Sequence, residues 1–377
     1  GAQTMKFLYL STSLPEEDFL ALNAKRKTKL NPAGQNFHQR LIASLATVAS
    51  VESFGLLPSK TAWKKAAKTE GNVTYHYLDR LAHPALDKLF LAKKIAKRIA
   101  SILEKEARYI IVYDTLNPYL AKAARLLKTA HRIPTLAICS DDPSNITGVS
   151  QSYIDQVFAL SKEASAYLCL TEALNRKFNP NGCPCLCRPG VVEPLPKTEN
   201  PHPSRPYIYY GGALFEKDGT KALLEAYSTL KPDYDMVLAG HGPMEKECLE
   251  AADSVQGITF LGQIGKEMNY AYEAHAALAI NPRLYREALD AVSVPSKVLE
   301  YLLLSPCIAS TVSSSLQALY PEDINWIEGD LLSFLKEHLD DAGHFVGLSE
   351  NRAQENILSE YGLEATGKAI LDFVSNL

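Results

Sequence analysis

The 377-residue sequence predicts an α/β protein built from two consecutive doubly wound units. Three observations carry this expectation. Short apolar runs of strand length alternate with stretches of helical spacing, as in parallel strands joined by helical crossovers. Residues 189–206 interrupt the alternation with Pro189, Pro194, Pro196, Pro201 and Pro203 in linker-like sequence. Beyond that stretch the same strand–helix grammar begins again.

The elements follow in order. Residues 6–11 (KFLYLS) read as a first strand. Over 35–49, Phe37, Leu41, Leu45 and Val48 recur at helical spacing. Residues 109–113 (YIIVY) make a strand ending at Asp114. A helix over 119–129 leads past Pro134 to the strand TLAICS, which ends at Asp141 and Asp142. Residues 166–170 make another strand, followed by a short helix and CPCLC at 183–187. In the second half a strand at 207–210 ends in Gly211-Gly212, and a helix follows through Leu223, Leu224 and Tyr227. Strands at 236–239, 259–261 and 277–280 end in Gly240-His241-Gly242, Gly262 and Asn281-Pro282-Arg283. A strand at 307–310 and a helix over 361–376, with Leu363, Ile370, Leu371 and Val374 near one face, complete the pattern. Most polar clusters thus fall at strand ends, where open α/β sheets bind ligands.

Composition narrows the function class. Apolar residues make up 46% and charged residues 22%, ordinary values for a water-soluble domain. No apolar run reaches the ~18–20 residues that span a bilayer, and no secretory leader pattern opens the chain. The expectation is a cytoplasmic protein, with any membrane contact peripheral at the inner face. The seven cysteines (139, 169, 183, 185, 187, 248 and 307) are odd in number, which argues against a disulfide framework. CPCLC lacks the spacing and the second ligand pair of a zinc site, so a strand is expected there and no metal. The net charge of −4 conceals an asymmetry. Residues 1–190 carry 26 Lys and Arg against 15 Asp and Glu, and residues 191–377 carry 13 against 28. The basic half is expected to meet something anionic.

The motif SVPSKVLEY at 293–301 has the makings of an anion site. Pro295 suits a first helical turn, and Ser293 or Ser296 can cap it. Orphan N–H groups and the helix dipole favour an anion, and Lys297 adds a full charge. Glu300 follows on the same face one turn deeper. A lysine for a diphosphate and a carboxylate for ribose hydroxyls make a sensible pair. The same spacing also describes an ordinary exposed Lys–Glu pair, so the neighbouring motifs decide. These are YYGGAL, KDGTKALLEAY, VLAGHGP, ITFLGQI, INPR and VPSKVLEYLLLSPCIAS, in that order over about 207–310.

In that order the motifs resemble the donor-binding half of family-4-like retaining glycosyltransferases of the GT-B fold, in particular a subset with NPR followed by PSK–EY. The resemblance implies two Rossmann-like doubly wound domains facing a central cleft. An acceptor-binding domain would span 1–192 plus a C-terminal helix at about 362–377, and a nucleotide-sugar domain would span 193–361. It implies that Lys297, with the backbone of Ser296 and Val298, binds the diphosphate, and that Glu300 takes the ribose hydroxyls. Ile264 would pack on the base. Gly212 and Gly240 would let the backbone approach the donor. Lys217 would help neutralise the departing diphosphate, and Arg283 and Glu287 would lie near the sugar. Two departures stand out. Gly212-Ala213 replaces a Gly-Arg pair, and Val292 occupies the first position of a glutamate pair whose second member matches Glu300, leaving Glu287 or Asp290 as substitutes.

The first half resembles the acceptor domain less specifically. Pro32-Ala33-Gly34-Gln35 opens a helix, and Gly34 would approach the donor diphosphate or serve as a simple helix entry. Asp141 and Asp142 end a strand where related enzymes place a polar residue near the reacting carbons, although a turn or cap fits them equally. Asp114 and Asn117 are weaker candidates. Lys25, Arg26, Lys27 and Lys29, and Trp63 among Lys60, Lys64, Lys65 and Lys68, suit either an anionic membrane surface or a solvated face. No stacking-aromatic pattern points to nucleic acid.

The expected function is transfer of a hexose from a nucleoside diphosphate sugar to a hydroxyl acceptor, a glycan or lipid-linked glycan. Configuration is retained by resemblance, and no metal or cofactor is expected beyond the sugar nucleotide itself. A GT-B epimerase or phosphorylase, or a non-catalytic nucleotide-sugar binder, is the alternative.

Overall fold

The computed structural model describes residues 3–60 and 65–377. Trp63 and Lys64, expected at a membrane surface, lie outside the described residues. The chain divides into two compact units, Gly1–Glu193 with Ser359–Leu377, and Pro194–Leu358.

Among the described residues the first unit holds eight strands: β1 (Thr4–Ser11), β2 (Ser50–Leu56), β3 (Lys68–Glu70), β4 (Val73–Leu78), β5 (Ala107–Asp114), β6 (Thr135–Cys139), β7 (Ala166–Cys169) and β8 (Cys185–Cys187). Their spatial order is β3-β4-β2-β1-β5-β6-β7-β8. Only β3 runs antiparallel to its neighbour. Phe7, Tyr9, Ile110, Val112, Leu136 and Ile138 are buried in one core, as continuous apolar strands covered on both faces require.

The helix expected over 35–49 spans Pro32–Ala46. Asn31 caps it by accepting from Ala33 N at 2.9 Å, and β2 takes over at Ser50. Strands β2 to β4 were not anticipated. Polar residues interrupt their apolar runs, and two of these satisfy one another across the ladder, His76 Nε2 lying 2.5 Å from Glu52 Oε2.

The C-terminal helix, Leu363–Val374, returns to the first unit. Ile370 and Val374 enter the core beside Leu41 and Leu45. Its approach is tied by Val192 N donating to Tyr361 O at 2.9 Å. Arg188 Nη2 donates to Glu360 O at 2.6 Å, and Arg108 Nη2 donates to Leu377 O at 2.8 Å.

The second unit is an all-parallel sheet: β9 (Tyr207–Ala213), β10 (Asp235–His241), β11 (Ile258–Phe260), β12 (Leu278–Asn281), β13 (Ile308–Thr311) and β14 (Asn325–Ile327). The order β11-β10-β9-β12-β13-β14 is doubly wound, and it switches direction at β9 and β12. Such a switch point is where open α/β sheets leave a crevice for ligand.

Gly367 tests the C-terminal return. A helical Gly→Ala change ordinarily stabilises by about 1 kcal/mol. Here the added Cβ would collide with the Ser44 carbonyl oxygen and crowd Thr47 Oγ1. Gly367→Ala should therefore destabilise by about 1–3 kcal/mol in urea unfolding. A gain in stability would contradict this packing.

Candidate functional site

The helix Ser296–Leu304 starts near the switch point. Val298, Leu299, Tyr301 and Leu302 bury its inner face. Tyr301 OH donates to Ile280 O at 2.9 Å and pins the helix to β12. Asn351 Nδ2 donates to Leu302 O at 2.8 Å and Ser305 O at 2.9 Å, which satisfies orphan carbonyls at the helix end.

The helix start differs from the expectation in two ways. Neither serine caps it: Pro295 sits at the cap position with no side-chain cap bond, and Ser296 is the first helical residue. Val298 N closes the first turn by donating to Pro295 O at 3.0 Å, so its N–H is already engaged. The serines lose the capping role because the chain leaves Val292 in extended conformation and enters the helix only after Pro295.

Lys297 is the centre of the site. It is half-buried, and its Nζ lies 3.9 Å from the centroid of the Tyr210 ring. An added Cβ at Gly212 would collide with Lys297 Nζ, and one at Gly240 would collide with the Gly212 carbonyl oxygen. Both glycines are therefore needed so that the ends of β9 and β10 can close around the ammonium. Desolvation lowers Lys297 from 10.5 to about 8, against the opposing pull of Glu273, Asp218 and Glu300, with Arg283 adding to the fall. Gly212, Gly240, Lys297 and Glu300 are thus brought to one place.

Other second-unit candidates surround it less tightly. Ile264 packs against the cluster of Tyr209, Val237 and Tyr272. The loops carrying Lys217 and Arg283 are joined by Leu284 N donating to Lys217 O at 2.9 Å. Lys217 is exposed, and its Nζ lies 5.2 Å from the Phe215 ring centroid. Glu287 is exposed at the start of the helix Glu287–Val292. Asp290 accepts from Ser314 N at 3.0 Å and from its hydroxyl, a structural cap. Val292 is buried.

In the first unit, Gly34 lies in the first turn of Pro32–Ala46, with open space where a Cβ would stand. Asp142 is buried, caps the turn Pro143–Asn145 and pairs with Lys177. Burial would raise its carboxyl, but Lys177 and Ser144 more than offset this and hold it below the usual range. Asp141 accepts from Asp142 N at 2.8 Å. Asp114 lies 3.4 Å from His38 Nε2, and His38 Nδ1 lies 2.7 Å from Tyr9 OH, a buried chain that the sequence did not suggest. Asn117 caps the helix Pro118–His131.

The basic residues singled out in the sequence are mostly engaged. Lys29 Nζ donates to Asn23 O at 2.8 Å, and Arg26 Nε donates to Thr28 O at 3.2 Å. Lys65 pairs with Asp18, Lys60 with Asp79 at 3.1 Å and Lys68 with Glu70 at 2.8 Å. Lys25 and Lys27 are exposed. CPCLC contributes β8, all seven cysteines are free, and no group of three His, Cys, Asp or Glu among the described residues is arranged to hold a metal.

Sequence reasoning missed Glu273, Asn269, Tyr210 and Asp218. The available signal was a glutamate on the buried stripe of the helix Lys266–His275, beside Tyr270 and Tyr272. Glu273 is 1% exposed. Burial pushes its carboxyl well above the ordinary carboxylate range, and the neighbouring Glu300 adds to the rise.

No protein-family model matches the sequence, and no curated protein matches it. Solved structures do. A sucrose-phosphate synthase from Thermosynechococcus elongatus superposes with a TM-score of 0.67 at 12% identity, over 99% of both chains. A trehalose-6-phosphate synthase, studied for glycosyltransfer with retention, gives 0.66 at 10%, over 98% of this chain and 99% of that one. Anabaena HepE in complex with UDP and glucose gives 0.60 at 13% over the whole of both chains. At such identities the likeness is one of fold, and the chain has the GT-B fold of two Rossmann-like α/β units.

Proposed function

We propose that the protein is a retaining, metal-independent hexosyltransferase. It moves a sugar from a nucleoside diphosphate sugar to a hydroxyl of a glycan or lipid-linked glycan. The observation that carries this reading is the half-desolvated Lys297 ammonium, seated on Tyr210 at the glycine-closed ends of β9 and β10. A cation held there without a fully compensating anion is built to receive one. UDP is the first nucleotide to test, because HepE, one of the similar folds, was solved with UDP.

In the proposed reaction Lys297 and the first turn of its helix hold the diphosphate, and Glu300 accepts from the ribose hydroxyls. Ile264 flanks the base. Lys217 and Arg283, carried on tied loops, neutralise charge as the bond from the sugar carbon to the diphosphate oxygen breaks and that oxygen leaves with the electron pair. The acceptor oxygen attacks the same face and gives its proton to the leaving oxygen, which retains configuration. Asp141, with its partners in the first unit, is a candidate for orienting the acceptor. Asp142 is better suited to holding its turn. Gly34 marks a helix entry without a crowding side chain. The assignment of the first unit to acceptor and the second to donor is part of the same proposal.

We also place the acceptor at an anionic membrane surface. The proposed contact is peripheral; no helix among the described residues is long and apolar enough to cross a membrane. Support comes from the helical segment Pro84–Ala100. A π-helical turn at Asp87–Leu91 turns both Leu89 and Phe90 outward, and they are 63% and 53% exposed. The outward stripe continues into exposed Lys93, Lys94 and Lys97. An apolar tip followed by lysines suits the headgroup boundary, where each charge contributes about 1 kcal/mol. Lys25 and Lys27 would add to this attraction.

A thermal-shift panel of nucleoside diphosphate sugars should raise the midpoint for a matching donor, and no rise with any member would contradict a donor site. Lys297→Ala should lower nucleoside diphosphate affinity by about 10–100-fold, the loss of a charge-assisted hydrogen bond. Lys297 is a cation whose value is lowered to about 8, so affinity should be full below pH 8 and decline above it. In Lys297→Arg, which stays charged, that alkaline decline should vanish; its persistence would assign the titration elsewhere. Finally, the protein should float with phosphatidylglycerol vesicles and not with phosphatidylcholine ones, and the double change Leu89→Asp, Phe90→Asp should abolish flotation. Equal binding to both lipids would refute the electrostatic half of the membrane proposal.

A further inference from the structure

We propose that Glu273 is a positioning residue of the donor site: as a carboxylic acid it donates a hydrogen bond to the Glu300 carboxylate and aims it at the ribose hydroxyls. The inference rests on the donor-site reading above and deepens it.

The geometry begins at β9. Tyr209 OH donates to Asn269 Oδ1 at 2.6 Å, which leaves the Asn269 amide nitrogen to donate to Glu273 Oε1 at 2.9 Å. Ser305 Oγ donates to the backbone carbonyl of Glu273 at 2.8 Å and fixes the end of its helix. The network lies directly against the glycine turn, because a Cβ at Gly211 would collide with Asn269 Oδ1 and Tyr209 OH. One carboxyl oxygen of Glu273 is therefore held by a chain that starts at the Tyr209 hydroxyl.

The other oxygen, Oε2, is buried and has no partner of ordinary hydrogen-bond geometry. The Glu300 carboxyl neighbours the Glu273 carboxyl. A buried acceptor without a donor is costly, and two adjacent carboxylates cannot both stay ionised at low cost. A single proton removes both costs. Glu273 is the more buried of the two, so the proton resides there and turns the orphan oxygen into a donor. Glu300, half-buried, keeps its charge. The other titratable groups facing Glu273 are Lys297 and Tyr301 on the helix Ser296–Leu304 and Tyr209 on β9. Lys297 favours the remaining negative charge on Glu300. A hydrogen bond from an acid to a carboxylate is short and directional, which holds the outer lone pairs of Glu300 in one orientation.

The test uses calorimetry at neutral pH with two probes, UDP and 2′,3′-dideoxy-UDP. Wild type should prefer UDP. Glu273→Leu should lose about tenfold or more in UDP affinity, with dideoxy-UDP affinity unchanged, because only the ribose contact depends on Glu300. Glu273→Gln keeps a donor at the same place and should restore the preference. A far-ultraviolet circular dichroism spectrum matching wild type reports that each variant is folded. If Glu273→Leu weakens both probes alike, or keeps the wild-type preference, the positioning role is overturned while the donor site stands. If wild type itself makes no distinction, or binds neither probe, the ribose role of Glu300 fails and both readings fall together.

Discussion

The rest of the second unit is organised around one constraint: a lysine ammonium must be kept charged in a place that water only partly reaches. The face of Tyr210 meets Lys297 Nζ at 3.9 Å, and Asp218 and Glu300 supply negative charge around it. These do not fully compensate. The fall from 10.5 to about 8 reflects solvation that these neighbours do not replace. An arriving diphosphate would restore much of that. Surface lysines gain little from an anion because solvent screens them; this one is placed where the gain is large.

The glycine turns follow from the same constraint. Gly212 leaves room for the ammonium, Gly240 leaves room for the Gly212 carbonyl, and Gly211 leaves room for the Tyr209–Asn269 bond. The three accommodations fall at the neighbouring ends of β9 and β10. The helix that brings Lys297 there is held at its far end by Asn351 and along its length by Tyr301. Lys297 is thus carried on a helix tied to β12 and closed at its far end.

Much of this was legible in the sequence, and for physical reasons. Doubly wound sheets need apolar strands covered on both faces, so YIIVY, TLAIC and YIYY announced β5, β6 and β9. Glycine pairs and PSK–EY marked two segments that the fold brings together, Lys297 beside Gly212. What escaped was of two kinds. Short strands such as β14 gave no clear period, and polar-laced β4 hid its own because His76 and Glu52 meet only in three dimensions. Long-range partners had no local signature either: nothing near Lys297 in sequence reveals Tyr210, and nothing near Glu300 reveals Glu273. The helix start was misjudged because a proline at the cap position replaced a serine cap that looked equally good on paper.

The central claim is that Lys297 and Glu300 together hold a nucleoside diphosphate, the ammonium on the phosphates and the carboxylate on the ribose. A crystal structure of the protein soaked with UDP tests it most directly. The account predicts diphosphate density within hydrogen-bond reach of Lys297 Nζ, with the ribose hydroxyls on Glu300 and the base beside Ile264. Nucleotide bound away from the helix Ser296–Leu304, or bound there with the ribose turned from Glu300, would contradict it.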